Sequence, residues 1–310
     1  MRIVYMGTPE FAVMPFKALI EKHDVVACIT QPDKPKGRGN QVVFPPVKEA
    51  ALAYDIPVFQ PERVRSKAFI EVLRSYNADI FIVAAYGQIL PEAVLNMTKH
   101  GAVCIHASLL PKYRGASPIQ QAVLNGDTES GITIMKMDKG IDTGDIISKL
   151  AVEIAPSDTA GDLHDKLSVL GAELITETLI KIEDGTAAFI PQDGEKASYA
   201  PIITKEDGLI NWNNSAENIR NQIRAMNPWP CAYTYMRSGD MLKIWSAECC
   251  EGGSLPIGTV ISADESITVQ TGNGGLVITE LQAAGGKRMK TADYLRGHKI
   301  SIRNILNSER

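Results

Sequence analysis

Cysteine is scarce and scattered in this 310-residue chain: Cys28, Cys104, Cys231, Cys249 and Cys250, with no C-x-x-C pair among them. An odd count without paired spacing argues against a disulfide framework and leaves small buried apolar side chains as their ordinary use. The five histidines, His23, His100, His106, His164 and His298, show no metal-ligand spacing, so no metal is expected. No apolar run approaches the roughly 20 residues needed to cross a bilayer, and Met1–Gly7 reads as a buried strand rather than a signal peptide. A cytoplasmic protein without membrane association is expected. Net positive charge is also lacking: the formal value is -4, which gives no global signature of a nucleic-acid partner. Internal repeats and low-complexity tracts are absent. Gly7-Thr8-Pro9-Glu10 lacks the second and third glycines of G-x-G-x-x-G, so a dinucleotide site is disfavoured. A tight strand–helix turn, or the close approach of a phosphate-like group, explains Gly7 equally well.

What is present is a division into two halves. The length allows two domains, each with its own core. In the first half, apolar strand candidates (residues 2–6, 25–30, 80–84, 102–105 and 132–137) alternate with helical segments (10–21, 47–54, 66–75 and 118–125). That alternation implies a parallel sheet covered by helices. Residues 158–183 read as one long helix with Ser157 or Asp158 as N-cap. After a polar, Pro/Gly-containing stretch, residues 216–226 read as a helix, followed by short alternating segments (232–236, 242–247, 258–262, 267–270 and 276–281). Trp212, Trp229 and Trp245 all fall in this half and are expected in its core or at the domain boundary. The expected fold is α/β: a Rossmann-like, mostly parallel sheet with helices on both faces, then a small C-terminal β-barrel (OB-like) domain. The expected boundaries are a catalytic domain over 1–188, a linker over 189–204 and a β-barrel domain over 205–310.

Chemistry concentrates in two segments. Residues 102–105 deliver His106 to a strand end, followed by the Pro/Gly-broken loop Ala107-Ser108-Leu109-Leu110-Pro111-Lys112-Tyr113-Arg114-Gly115. The strand candidate 132–137 leads into Asp138-Lys139-Gly140-Ile141-Asp142-Thr143-Gly144-Asp145. Open α/β sheets place ligand sites at the carboxyl ends of their strands. An imidazole and a carboxylate on neighbouring strand ends would form a proton-handling pair suited to group transfer. Two local basic runs stand against the negative total: Lys34, Lys36 and Arg38, and Lys287, Arg288, Lys290, Arg296, Lys299 and Arg303, the latter opposed only by Asp293. Solvated faces and phosphate-binding patches both fit such runs.

His106 to Gly115, with Asp142 in Gly140-Ile141-Asp142-Thr143-Gly144-Asp145, resembles the signature of the folate-dependent formyltransferase family. Gln31 to Gly39, Tyr199-Ala200-Pro201, Lys205-Glu206-Asp207-Gly208 and Ile223 to Pro230 resemble the branch acting on methionyl-tRNA. The resemblance implies 10-formyltetrahydrofolate as formyl donor and initiator methionyl-tRNA as acceptor; for a tRNA binder of this size a monomer is expected. It gives His106 the role of oxyanion donor and Asp142 that of holding the imidazole and relaying a proton. Ser108, Leu109, Leu110 and Pro111, with Ile89 and Leu90, would receive the folate. Lys34, Lys36 and Arg38 on the insertion loop, with Lys287, Arg288 and Lys290, would meet tRNA phosphates. Formylation of a small amine, an amino sugar or glycinamide ribonucleotide, is the competing activity. The family pattern carries asparagine two residues before the histidine, where its amide helps hold the formyl oxygen; here Cys104 stands in that place. A thiol is a poor substitute for an amide N–H, so a catalytically impaired folate- or RNA-binding homologue is a further alternative. Cys104→Asn is expected to raise kcat/KM by about 10- to 1,000-fold, the cost typical of a lost oxyanion donor. An unchanged kcat/KM would remove Cys104 from the oxyanion site.

Overall fold

A computed structural model describes residues 1–36 and 41–308 of the chain; Gly37, Arg38 and Gly39 of the basic loop lie outside the described residues, and so do the side chains of Lys36 and Gln41. The chain divides into two compact units. The first holds residues 1–118, 129–153 and 164–200, the second residues 119–128, 154–163 and 201–310.

Among the described residues, eleven strands belong to the first unit: β1 (Arg2–Gly7), β2 (Asp24–Ile29), β3 (Lys34–Lys36), β4 (Gln41–Val43), β5 (Val58–Phe59), β6 (Ile80–Ala84), β7 (Ala102–His106), β8 (Arg114–Gly115), β9 (Glu129–Lys136), β10 (Ile146–Glu153) and β11 (Tyr199–Ala200). The helices in chain order are α1 (Val13–Lys22), α2 (Pro46–Ala53), α3 (Lys67–Ser75), α4 (Glu92–Leu95), α5 (Pro118–Leu124) and α6 (Ala160–Glu183). The main sheet has the order β10-β9-β7-β6-β1-β2-β5. Its strands from β7 to β5 are parallel, and β6 and β7 are buried along their whole length. Burial on both faces explains why these segments read as continuous apolar runs.

The last two strands depart from the parallel expectation. β9 runs antiparallel to β7, with His106 opposite Thr133 and Val103 opposite Lys136, and β10 runs antiparallel to β9. The carboxyl end of β9 therefore lies beside the amino end of β7, not beside His106. Along β7, Cys104 and His106 share one face with their partners Met135 and Thr133, because side chains alternate with period two. Ile105 points the other way, under α6, where a Cβ on Gly171 would stand 3.1 Å from it. The insertion after β2 forms the β3–β4 hairpin. At its base Lys48 Nζ donates to Asp33 at 2.6 Å and to Gln60 at 2.8 Å.

In the second unit Thr159, rather than Ser157 or Asp158, caps the start of α6. Its hydroxyl accepts from Asp162 N at 3.2 Å while its own N–H donates to the Asp162 carboxylate at 2.8 Å, a reciprocal capping box. Helix α7 (Ala216–Ala225) is capped by Ser215, and α8 is Thr291–Gly297. Strands β12 (Ala232–Tyr235), β13 (Met241–Cys250), β14 (Val260–Ala263), β15 (Ile267–Gln270), β16 (Gly275–Ala283) and β17 (Met289–Lys290) form one antiparallel sheet, ordered β12-β13-β16-β15-β14 with β17 on β16. Trp212 is buried with its indole N–H donating to Thr234, as expected of a core residue, whereas Trp229 is 53% exposed.

The edge strands β12 and β14 share a partner near the carboxyl terminus. Tyr235 and Asn307 exchange backbone bonds of 3.1 and 2.9 Å, Val260 N donates to Asn304 O at 2.8 Å, and Leu306 N donates to Gly258 O at 2.8 Å. This segment covers backbone that an exposed edge would leave open to other chains. Removing residues 304–310 deletes these bonds, each worth about 0.5–1.5 kcal/mol, and the buried Leu306 side chain, worth about 1.5–3 kcal/mol. Hydrogen exchange is expected to show lost amide protection along β12 and β14. Protection equal to that of the full chain would show that the segment closes nothing.

Candidate active site

His106 ends β7, 6% exposed, at the carboxyl edge of the parallel strands. Its Nε2 lies 2.9 Å from the carbonyl oxygen of Tyr113. A carbonyl can only accept, so Nε2 carries hydrogen and donates. Its Nδ1 lies 3.5 Å from Oδ2 of Asp142. Both ring nitrogens thus face acceptors. The contact at Nδ1 is the longer, so that side of the ring has the freedom to meet another atom. The expected pair is present, but not as two neighbouring strand ends. Lys136, the last residue of β9, is opposite Val103, and the chain must return about 10 Å along β7, at roughly 3.3 Å per residue, to reach His106.

The returning loop is held at several points. Asp138 accepts from Gly140 N at 2.9 Å and from the Thr143 hydroxyl at 2.7 Å. Lys136 N donates to Asp145 O at 2.9 Å, and Gly144 lies so close that a Cβ there would stand 1.8 Å from the Lys136 carbonyl. Asp142 itself sits at φ 52°, the left-handed region that costs free energy for a residue with a side chain. Its carboxylate accepts Gly115 N at 2.8 Å in addition to facing His106.

The loop after β7 is fixed as firmly. Ser108 is fully buried and its hydroxyl donates to Lys112 O at 2.6 Å. Thr133, opposite His106 on β9, donates to Ser108 O at 2.6 Å and accepts Leu110 N at 3.0 Å. Lys149 on β10 donates to the Leu110 carbonyl, and burial holds its ammonium below the ordinary lysine range. Thr133 and Lys149 were not legible as site residues; each earns its place by strand pairing, which motif spacing does not reveal. Leu110 is buried with Cys104, Met135 and Ile146, while Leu109 and Pro111 are half-buried. In the loop after β6, Ile89 is 80% exposed and Leu90 is turned into the core. The loops after β6 and β7 leave neighbouring parallel strands at the same end, the crevice where such sheets take ligands.

Cys104 lies on the same face as His106, inside that apolar cluster. Burial pushes its thiol well above the ordinary range, and the charge of Asp142 adds to the effect. A thiol raised in this way has less thiolate character than an exposed one, which disfavours a nucleophilic use of Cys104.

Residues 190–200, expected as part of a linker, belong to the first unit and cross both loops. Ile190 pairs with Ile146, and the Gln192 amide donates to Asp142 O at 2.9 Å and to Gly144 O at 2.8 Å. Ser198 accepts Tyr113 N at 2.9 Å, and β11 pairs with β8. Of the expected tRNA contacts, Lys34 is exposed on β3, and Lys287 and Lys290 are exposed around β17. Arg288 is engaged otherwise, paired with Glu280 and lying over Trp245 at 4.9 Å.

The profile described as "Formyl transferase" matches residues 1–179, and that of "Formyl transferase, C-terminal domain" matches residues 202–299. A curated methionyl-tRNA formyltransferase from Agathobacter rectalis is 50% identical over 300 residues, 96% of each chain. One from Pelotomaculum thermopropionicum is 51% identical over 301 residues, again 96% of each. The chain is a member of the methionyl-tRNA formyltransferase family. Among solved structures, an N-formyltransferase from Helicobacter canadensis in complex with folinic acid and dTDP-3-aminofucose shares the fold at TM-score 0.65 and 22% identity, over 93% of this chain and 99% of that one. A methionyl-tRNA formyltransferase from Clostridium thermocellum does so at TM-score 0.55 and 18% identity, over 80% and 93%. The family match thus extends through both units.

Burial separates the cysteines. It raises the thiols of Cys28 to about 12 and Cys231 to about 11 and raises Cys104 further, while Cys249 is exposed. Brief alkylation of the native protein at neutral pH is expected to mark Cys249 and spare Cys104. Peptide mapping that finds Cys104 modified first would contradict its burial.

Proposed function

We propose that the chain transfers the formyl group of 10-formyltetrahydrofolate to the α-amino group of initiator methionyl-tRNA, and that His106 and Asp142 carry the reaction. The observation that carries this reading is the 3.5 Å contact between the buried His106 imidazole, at the carboxyl end of β7, and the half-buried Asp142 carboxylate. The folate supplies a formyl group on N10. The acceptor needs little activation, since an α-amino group has a pKa of about 7.7–8.0. Its nitrogen bonds to the formyl carbon, the bond from that carbon to N10 breaks, and one ammonium proton must finally reside on N10. His106, turning its Nδ1 side to the formyl oxygen, donates to the charge that develops there. Asp142 orients the ring and accepts the proton the amine loses, releasing it toward N10. Cys104 occupies the place of a second donor without an amide to offer.

Exposed Ile89 and half-buried Leu109 supply uncovered apolar surface suited to a flat pterin, and buried Leu90 and Leu110 back it. Ser108 and Pro111 shape the same loop. No metal takes part in these steps. The first unit, including the strap over residues 190–200, carries catalysis, and the second unit serves tRNA. Lys34, Lys36 and Arg38, with Lys287 and Lys290, meet backbone phosphates, and Arg288 contributes less because Glu280 already neutralises it. The reading fits a cytoplasmic enzyme working as a monomer. Small-amine formylation is set aside because relatives at 50 and 51% identity over 96% of the chain are methionyl-tRNA formyltransferases, whereas the aminofucose complex is 22% identical.

His106→Ala is expected to lower kcat for methionyl-tRNA formylation by about 100-fold or more, the value of one preorganised donor. Retained activity would remove the pair from the chemistry. Lys36→Ala with Arg38→Ala should raise KM for charged tRNA, most at low salt and with a shallower salt dependence than the unaltered enzyme, with folate affinity unchanged. Equal losses for both ligands would refute the phosphate assignment.

A further inference from the structure

Gln192 lies outside every motif that points to the site, yet three groups of the active-site loops converge on its amide. Its Oε1 accepts from Arg114 Nε at 3.1 Å and Nη2 at 2.8 Å. Its Nε2 donates to the carbonyls of Asp142 at 2.9 Å and Gly144 at 2.8 Å. The orientation of this amide is not arbitrary. A guanidinium has only donors and a peptide carbonyl only lone pairs, so oxygen must face Arg114 and nitrogen must face the loop. Arg114 is itself 6% exposed and lies in β8, one residue before the Gly115 amide that binds the Asp142 carboxylate. Gly115 is in turn pressed against β11, where a Cβ on it would stand 2.7 Å from Ala200 O. One side chain therefore ties the loop carrying Asp142 to the loop following His106.

We propose that Gln192, locked by Arg114, is a positioning residue for the His106–Asp142 pair. It pulls the backbone of Asp142 into its left-handed conformation, φ 52°, and so sets where the carboxylate stands relative to His106 and Gly115 N. A residue in that region persists only where its surroundings over-determine it, and two carbonyl anchors within three residues do so. The proposal rests on the reading that His106 and Asp142 carry the reaction. It adds that the pair depends on an amide 50 residues further along the chain.

Gln192→Glu tests it. The carboxylate keeps an acceptor for Arg114 but presents oxygen to two carbonyl oxygens, so it holds the arginine and repels the loop. Gln192→Met fills similar volume with neither bond. Steady-state formylation of methionyl-tRNA should show kcat lowered about 10- to 100-fold in both variants, as small misplacements of catalytic groups do. KM for tRNA and for 10-formyltetrahydrofolate should stay near wild type. Because Arg114 acts through Gln192, adding Arg114→Ala to Gln192→Met should cost kcat little more than the worse single change. Should the glutamate variant not fold, the methionine variant decides. Wild-type kcat in Gln192→Met, or a raised KM at unchanged kcat, would overturn the positioning role. His106→Ala, assayed alongside, separates the two levels: if it stays active, the reading of the pair has failed instead.

Discussion

The direction of one strand governs this site. Had β9 run parallel to its neighbours, its carboxyl end would have placed Asp142 beside His106 with a short turn. It runs antiparallel instead, and the carboxylate has to be carried back along β7 by a loop of irregular backbone. Irregular backbone has no ladder to satisfy its polar groups, so each must find a partner elsewhere. The Asp138 side chain, the Asp145 carbonyl and the Gln192 amide supply those partners. Gly144 permits the close approach that the path requires.

The same constraint explains why the loop after β7 is rigid. His106 donates to Tyr113 O, and Tyr113 N is in turn held by Ser198, so the ring's second nitrogen is fixed by a backbone that is itself anchored. Thr133 acts on the other side, donating to one loop residue and accepting from another. The imidazole and carboxylate are thus placed by the hydrogen bonds of the loops around them. That is the preorganisation on which electrostatic catalysis depends, since nothing needs to reorient as charge develops.

Much of the fold was legible before any coordinates. The parallel strands announced themselves as apolar runs, β6 over the very residues expected, because a strand buried on both faces has no polar side to dilute the signal. His106 and Asp142 were legible from motif resemblance, and their contact bears out that they meet. Strand direction was not legible: residues 132–137 read equally well in either sense. β10 was missed: after its first two residues Ile146–Glu153 is exposed or half-buried, as an edge strand is, and its mixed sequence gives no continuous apolar run. The stretch around Gln192 looked like a linker because its polar composition is what a solvated connection would have. Only the partners of its side chains distinguish a connection from a strap.

The half-buried Asp142 carboxylate, 3.5 Å from the His106 ring, is proposed to drive formyl transfer through its charge. Single-turnover formylation of methionyl-tRNA by Asp142→Asn tests it most directly, since the amide keeps the shape and an acceptor while removing the charge. The account predicts a chemical step slowed about 100-fold or more, within the range of positioned acid–base help, with substrate binding intact. A chemical step as fast as in the unaltered enzyme would contradict it.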